Sequence, residues 1–193
     1  MPSIIQAGNA ASTGLVTTGA TDGILELRSG TAAGGTVAMT INAAGNITVP
    51  ASAAPAFSAF GSAATTINNV TNTKIILQTK EFDTAGAFDA TTTYRFTPLV
   101  AGYYQVNGGI AFSPNATGFR FITIFKNGTG IKGGQNLPGG STNFLGITVA
   151  ALVFLNGSTD YLELFGNQNS GSTLTTTTSA SETYFQAFLA RSA

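Results

Sequence analysis

Apolar and polar residues alternate between turn signals from Ala56 almost to the last residue, and no helical period interrupts the series. A period of two is the signature of strands that bury one face. It predicts strands over residues 56–60, with Phe57 and Phe60, then over 74–82 and 94–98. A long strand over 103–112 follows, placing Tyr104, Val106, Ile110 and Phe112 on one face. Gly108 and Gly109 inside it suggest a bulge or a close approach by another backbone. Over 119–126, Phe119, Phe121 and Phe125 alternate with Arg120, Ile122 and Ile124. Both sets are largely apolar, so this strand is expected to be covered on both sides. Asn127-Gly128 is a strong hairpin turn signal. A long strand or strand pair over 142–155, a turn at Asn156-Gly157, and strands over 160–165 and 183–190 complete the series. Many short strands with regular turns predict an all-β sandwich or jelly roll.

Before residue 55 the pattern changes. Residues 1–54 are rich in Gly, Ala, Thr and Ser and contain no aromatic residue. Residues 23–28, 37–42 and 47–49 still read as short strands, with Val37, Met39 and Ile41 on one face. Such thin apolar faces need more surface to complete a core. The expected organisation is a β-rich stem or anchor over 1–54, ordered by oligomerisation, and a jelly-roll domain over 55–193. A flexible linker is the plainer reading of the first part. Particle-anchoring candidates within it are Ile4, Ile5, Leu15, Val16, Leu25 and Leu27.

Composition narrows the function. The chain has 193 residues, 43% of them apolar, which is enough for a core without covalent staples. Charged residues make up only 8%, against about 25% in an ordinary soluble domain, and the net charge is zero. There is no basic field for nucleic acid. Histidine and cysteine are absent, which removes disulfides, thiolate nucleophiles and imidazole or thiolate metal sites. The opening residues do not read as a secretory signal. The longest apolar run, 145–155, falls well short of the roughly 20 residues of a membrane helix.

Several motifs then point to one family. Phe96-Thr97-Pro98-Leu99-Val100-Ala101-Gly102-Tyr103-Tyr104-Gln105-Val106 resembles the central signature of C1q-like domains, in which a phenylalanine strand leads through proline and glycine into paired tyrosines. Thr183-Tyr184-Phe185-Gln186-Ala187-Phe188-Leu189 is similar to that family's closing strand, with Ala187 where glycine is more usual. Lys126-Asn127-Gly128 and Asn156-Gly157-Ser158-Thr159-Asp160-Tyr161-Leu162 fit its hairpin and penultimate turn, with Thr159-Asp160 in place of a glycine-aspartate pair. The resemblance covers residues 55–193. It implies a ten-stranded jelly roll of the tumour-necrosis-factor type that assembles as a homotrimer. Gly8 to Gly19 and Ala38 to Ile47 resemble stem segments of bacteriophage tail fibres and head appendages, and there is no collagen-like Gly-X-Y stem.

Candidate chemistry is sparse. The acids Asp22, Glu26, Glu81, Asp83, Asp89, Asp160, Glu163 and Glu182 are scattered, and only Glu81 and Asp83 approach a carboxylate pair. Gly128-Thr129-Gly130-Ile131-Lys132-Gly133 matches a dinucleotide-binding pattern by letter, but no helix follows to receive a pyrophosphate. It reads as a hairpin. No cofactor is expected. Calcium, which some C1q-like domains hold near the trimer apex, would draw on Asp83, Asp89 or Asp160. Asn46, Asn69, Asn115, Asn127 and Asn156 begin Asn-X-Ser/Thr patterns and read as turn residues. The aromatic strands suit a core more than a sugar platform. Polar loops over 84–93, 133–143 and 166–181 suit hydrogen bonding to glycans or proteins. Tyr104, Phe119, Phe121, Phe125, Phe185 and Phe188 are the candidates for core or trimer interface.

These readings converge on a non-enzymatic homotrimeric surface protein of a bacteriophage virion. A capsid decoration or cement protein with an outward jelly-roll head is expected, held to the major capsid protein or another virion protein by its N-terminal region. It would be made in the host cytoplasm, with no membrane or nucleic-acid partner. The alternative is a tail-fibre or spike tip that binds a host-surface glycan or receptor.

Overall fold

The computed structural model describes residues 24–29, 36–49, 54–138 and 143–193. Contacts divide the chain into two compact units, Met1–Pro50 and Ala51–Ala193.

In the first unit, β1 (Leu25–Ser29), β2 (Thr36–Ile41) and β3 (Ile47–Thr48) form an antiparallel meander in the order β1-β2-β3. The β2–β3 turn is held by Asn42, whose side-chain oxygen accepts from the backbone N–H of Ala44 and Asn46 at 3.0 and 2.9 Å. Leu25, Val37, Met39 and Ile41 are only partly buried, and Leu27, Ile47 and Val49 are exposed. This is the thin apolar face that the sequence predicts. Ile4, Ile5, Leu15 and Val16 lie outside the described residues.

The second unit contains β4 (Ala56–Phe60), β5 (Thr66–Ile67), β6 (Thr73–Lys74), β7 (Thr79–Asp83), β8 (Phe88–Asp89), β9 (Arg95–Phe96) and β10 (Gly102–Phe112). These are followed by β11 (Arg120–Lys126), β12 (Thr129–Asn136), β13 (Leu145–Leu155), β14 (Leu162–Gln168), β15 (Leu174–Thr175) and β16 (Tyr184–Ser192). A five-stranded sheet runs β13-β10-β16-β4-β7. A second runs β12-β11-β14-β9-β8, with β6 added beside β14, and β15 pairs with β5. All the ladders are antiparallel. Early and late strands interleave in both sheets, which is the jelly-roll topology. The two sheets hold eleven strands and the β5–β15 pair two more, close to the ten that the resemblance implies.

The core lies between the sheets. Phe57 stacks on Phe88 and Phe96 at centroid distances of 4.6 and 4.5 Å and meets Phe185 edge-on at 5.4 Å. Tyr104 adds an edge contact to Phe96 at 5.5 Å. On β10 the predicted inward set, Tyr104, Val106, Ile110 and Phe112, is fully buried. Gly108 and Gly109 mark close approaches, but by side chains. A Cβ at Gly108 would stand 2.7 Å from Leu164, and one at Gly109 would stand 2.5 Å from the Tyr184 ring. The single break in β10 register falls earlier, at Tyr103/Tyr104.

Five sequence expectations are corrected, the first being the supposed loop 84–93, which contains β8 with Phe88 buried in the core. Residues 74–82 are two strands, because the chain changes sheets there. Lys74 pairs with β14 in one sheet and Thr79 pairs with β4 in the other, while Ile75 and Leu77 between them are fully buried. The supposed loop 166–181 contains the end of β14, with Gln168 buried, and also β15. The supposed loop from 133 is β12 as far as Asn136. Strand β11, expected to be covered on both sides, is covered on one. Arg120 is buried with Ile122 and Ile124, while Phe119, Phe121 and Phe125 stay partly exposed.

Two turns follow the sequence closely. Asn127 (φ 52°) and Gly128 (φ 79°) are both left-handed, as a two-residue type I′ hairpin requires. At the β13–β14 turn, Asn156 Oδ1 accepts from the backbone N–H of Ser158, Thr159 and Asp160, each at 3.0 Å.

Candidate functional site

The outer face of the five-stranded sheet gathers five of the exposed large apolar side chains of the described residues. On β10 the residues that alternate with the core set are Tyr103, Gln105 and Asn107. Register places Tyr103 opposite Phe154, Gln105 between Leu152 and Phe188, and Asn107 between Ala150 and Gln186. On the far side, Ser58 of β4 faces Phe82. Side chains opposite one another across a ladder share a face. Tyr103, Leu152, Phe154, Phe188 and Phe82 therefore form one field, interrupted by Gln105, Asn107 and Gln186 and bordered by Arg191 beside Tyr103 and by Glu81 beside Phe82. They are 45%, 60%, 42%, 49% and 51% exposed. Scattered exposed apolar residues are ordinary, but a contiguous patch marks an interaction surface.

The local geometry is ordered. The Tyr103 and Phe154 rings lie 5.4 Å apart. Lys126 Nζ donates to the Phe154 carbonyl at 2.8 Å and stands 5.8 Å from that ring. A concavity of about 580 Å³ is lined by Tyr103, Leu152 and residues 190–193. A smaller one of about 180 Å³ lies among Phe82, Asn107, Gln186 and Phe188. The larger one includes Arg191, and the smaller one is lined by apolar and amide side chains.

The sequence-predicted residues separate into three places. Tyr104 and Phe185 are core. The Tyr104 hydroxyl donates to the Val100 carbonyl at 2.7 Å, and burial raises its pKa to about 12. Phe188 lies on the exposed field. Phe119, Phe121 and Phe125 lie on the outer face of the other sheet, where Phe125 stacks on Phe165 at 4.0 Å and Phe119 meets Phe121 at 6.1 Å. Sequence reasoning missed Phe82, Tyr103, Leu152 and Phe154. The signal was present in residues 145–155, where both alternating sets are apolar, as in a strand covered on two faces.

The acids do not converge. Glu81 accepts from the Ser58 hydroxyl at 2.6 Å, whereas Asp83 accepts from Lys80 and from the backbone N–H groups of Ala87 and Phe88. Asp89 caps its own loop through Thr91, Thr92 and Thr93, and these bonds hold its carboxyl well below the ordinary value. Asp160 pairs with Lys126 at 2.8 Å. Among the described residues no three acids form a cluster that could hold a metal ion, and no helix is long and apolar enough to cross a membrane.

No family model matches the chain, and no curated protein matches it. Solved structures do. The globular domain of zebrafish complement 1qA protein has a TM-score of 0.48 and 14% identity, covering 72% of this chain and 99% of that one. A crystal structure of murine APRIL at pH 8.0 has a TM-score of 0.55 and 10% identity, covering 70% and 98%. The pH 5.0 form gives 0.54 and 11%, with the same coverage. At these identities the likeness is one of fold. The chain is an all-β jelly roll, similar in fold to murine APRIL.

Proposed function

We propose that the protein is a non-enzymatic homotrimer on the surface of a bacteriophage virion, acting as a capsid decoration or cement protein. The observation that carries this reading is the apolar field on the five-stranded sheet, bordered by one cation and one anion, Arg191 and Glu81. A second copy of a chain with no net charge meets no repulsion there, and cyclic symmetry lets each subunit bury the same patch. The fold likeness to trimer-forming jelly rolls supports a threefold assembly. The half-exposed β1–β3 sheet and the stem-like sequence around it support attachment through residues 1–54 to the major capsid protein or another virion protein. Binding an assembled shell at several points stabilises it by linkage and avidity. The absence of histidine and cysteine, and the separate engagement of Glu81 and Asp83, support a role without catalysis.

A second reading is the tip of a tail fibre or spike that binds a host-surface glycan. It is favoured by the half-exposed phenylalanines on the other sheet.

Size-exclusion chromatography with light scattering should give three times the chain mass at micromolar concentration, and a stable monomer would refute the trimer. Imaging of particles carrying the labelled protein should show regular copies over the capsid. Label confined to a tail tip would select the second reading, and particles without label would exclude both.

A further inference from the structure

The outer face of the six-stranded sheet is unlike its counterpart. It is a trough of about 580 Å³ lined by aromatic rings and uncharged polar groups, within the roughly 300–1,000 Å³ of small-molecule sites. Phe119, Phe121 and Phe125 lie along one side of β11, with Thr123 between the last two. The neighbouring strand β12 places Gly130 opposite Phe125 and Gly133 opposite Thr123. A Cβ at Gly133 would stand 3.2 Å from the Phe121 ring, and one at Gly130 would stand 3.4 Å from the Phe125 ring. The rings lie across these bare backbone positions. Phe119, Phe121 and Phe125 are all partly exposed, and the Phe119 and Phe121 rings meet edge to face. Phe125 is further fixed by its stack on Phe165.

At the end of the trough Asn167 donates to Asn72 at 2.8 Å, a side-chain amide pair with hydrogen-bonding capacity to spare. Charge is cancelled at the margin, where Lys74 pairs with Glu163 at 2.6 Å. None of the lining residues is ionisable.

From this geometry we propose that the trough binds a neutral oligosaccharide, a stretch of a surface polysaccharide built of pyranose units. The electron-rich face of a phenylalanine ring attracts the weakly positive C–H face of a sugar ring. Amides and hydroxyls at the rim meet the sugar hydroxyls. An anionic ligand would find no cation to pair with. Phe119 to Phe125 spans about 20 Å of strand, which suits a chain of sugar units and not a single ring. The proposal deepens the glycan-binding reading and rests on it, but it requires neither the trimer nor a particular place on the particle. The trough lies on the opposite side of the sandwich from the self-association field, so both can be occupied together.

The test uses the full chain on immobilised neutral oligosaccharides of hexose and N-acetylhexosamine, from one to six units, beside uronate- and sialate-bearing controls. Binding to neutral tetrasaccharides or longer is expected, at least tenfold weaker in Phe125→Ala and about threefold weaker in Asn167→Ala. Should Phe125→Ala unfold, Asn167→Ala and the near-isosteric Thr123→Val carry the comparison, each checked by thermal melting. Light scattering is run on every variant, so that loss of the trimer is scored apart from loss of sugar binding. The proposal is overturned if no neutral oligosaccharide binds, if anionic chains bind better, or if binding is unchanged in folded trough variants. It is equally overturned if those variants change the oligomeric mass, because the face would then be a contact between copies.

Discussion

Asp160 shows how one side chain can stabilise a turn and make it pH-sensitive. Burial by itself raises its pKa, but hydrogen bonds from Lys126, Asn127 and the Asn156 backbone, with the Lys126 charge, outweigh burial and hold the carboxyl below its ordinary value. A carboxylate depressed in the folded state contributes stability above its unfolded value, about pH 4. That contribution disappears as the pH falls through the lower folded value. Asp160→Asn should therefore lose stability at pH 7, by about 1–3 kcal/mol, and should change less than the parent between pH 7 and pH 2. Urea titrations at the two pH values measure this. An equal acid response in parent and variant would contradict it. Arg120 is the residue the sequence hid. Its guanidinium donates to the carbonyls of Asn115, Thr117 and Phe119 and pins the β10–β11 connection, its Nε has no hydrogen-bond partner, and burial lowers its pKa. Alternation puts it in register with Ile122 and Ile124, but nothing within β11 satisfies a buried guanidinium. Only the carbonyls supplied by the preceding loop, far from any pattern in β11, make the inward position tolerable.

Among the elements, local signals were legible and long-range ones were not. Asn127-Gly128 specifies its hairpin because two left-handed residues in sequence admit few other turns. The inward set of β10 was legible for the same reason, since a one-residue slip would turn every side chain over. The sheet change at residues 75–78 was not, because a continuous apolar run looks the same whether its strand stays in one sheet or crosses between two. Nor could the pattern tell which apolar set of β11 or β13 faces the core, because that depends on the sheet packed against it. The turn at Gly157 offers an element-level test. Its φ is +69°, and a Cβ would stand 2.3 Å from the Ala101 nitrogen and 2.6 Å from the Val100 carbonyl carbon. Both are backbone atoms, so this turn fits only against the bare glycine. Gly157→Ala should cost about 2–4 kcal/mol. Gly146→Ala, with nothing within 4 Å, should stay within about 0.5 kcal/mol of the parent. Similar denaturation midpoints for the two variants would refute the close packing.

For the whole molecule, zero net charge and an apolar field make self-association the expected state. Leu152→Asp places a carboxylate at the most exposed point of that field. In a trimer it repeats near the symmetry-related copies. Light scattering should show monomer for this variant at concentrations where the parent is assembled, with the melting transition of the jelly roll retained. An unchanged mass would place the contact elsewhere. The jelly roll also has an order in time. β16 lies between β10 and β4, bonded to both, yet it is the last of these strands to leave the ribosome. Until it arrives, β4 and β10 each present an open edge to the crowded cell. A chain stalled before Thr183 is thus a sheet missing its middle, with two open edges able to capture the strand of a neighbour.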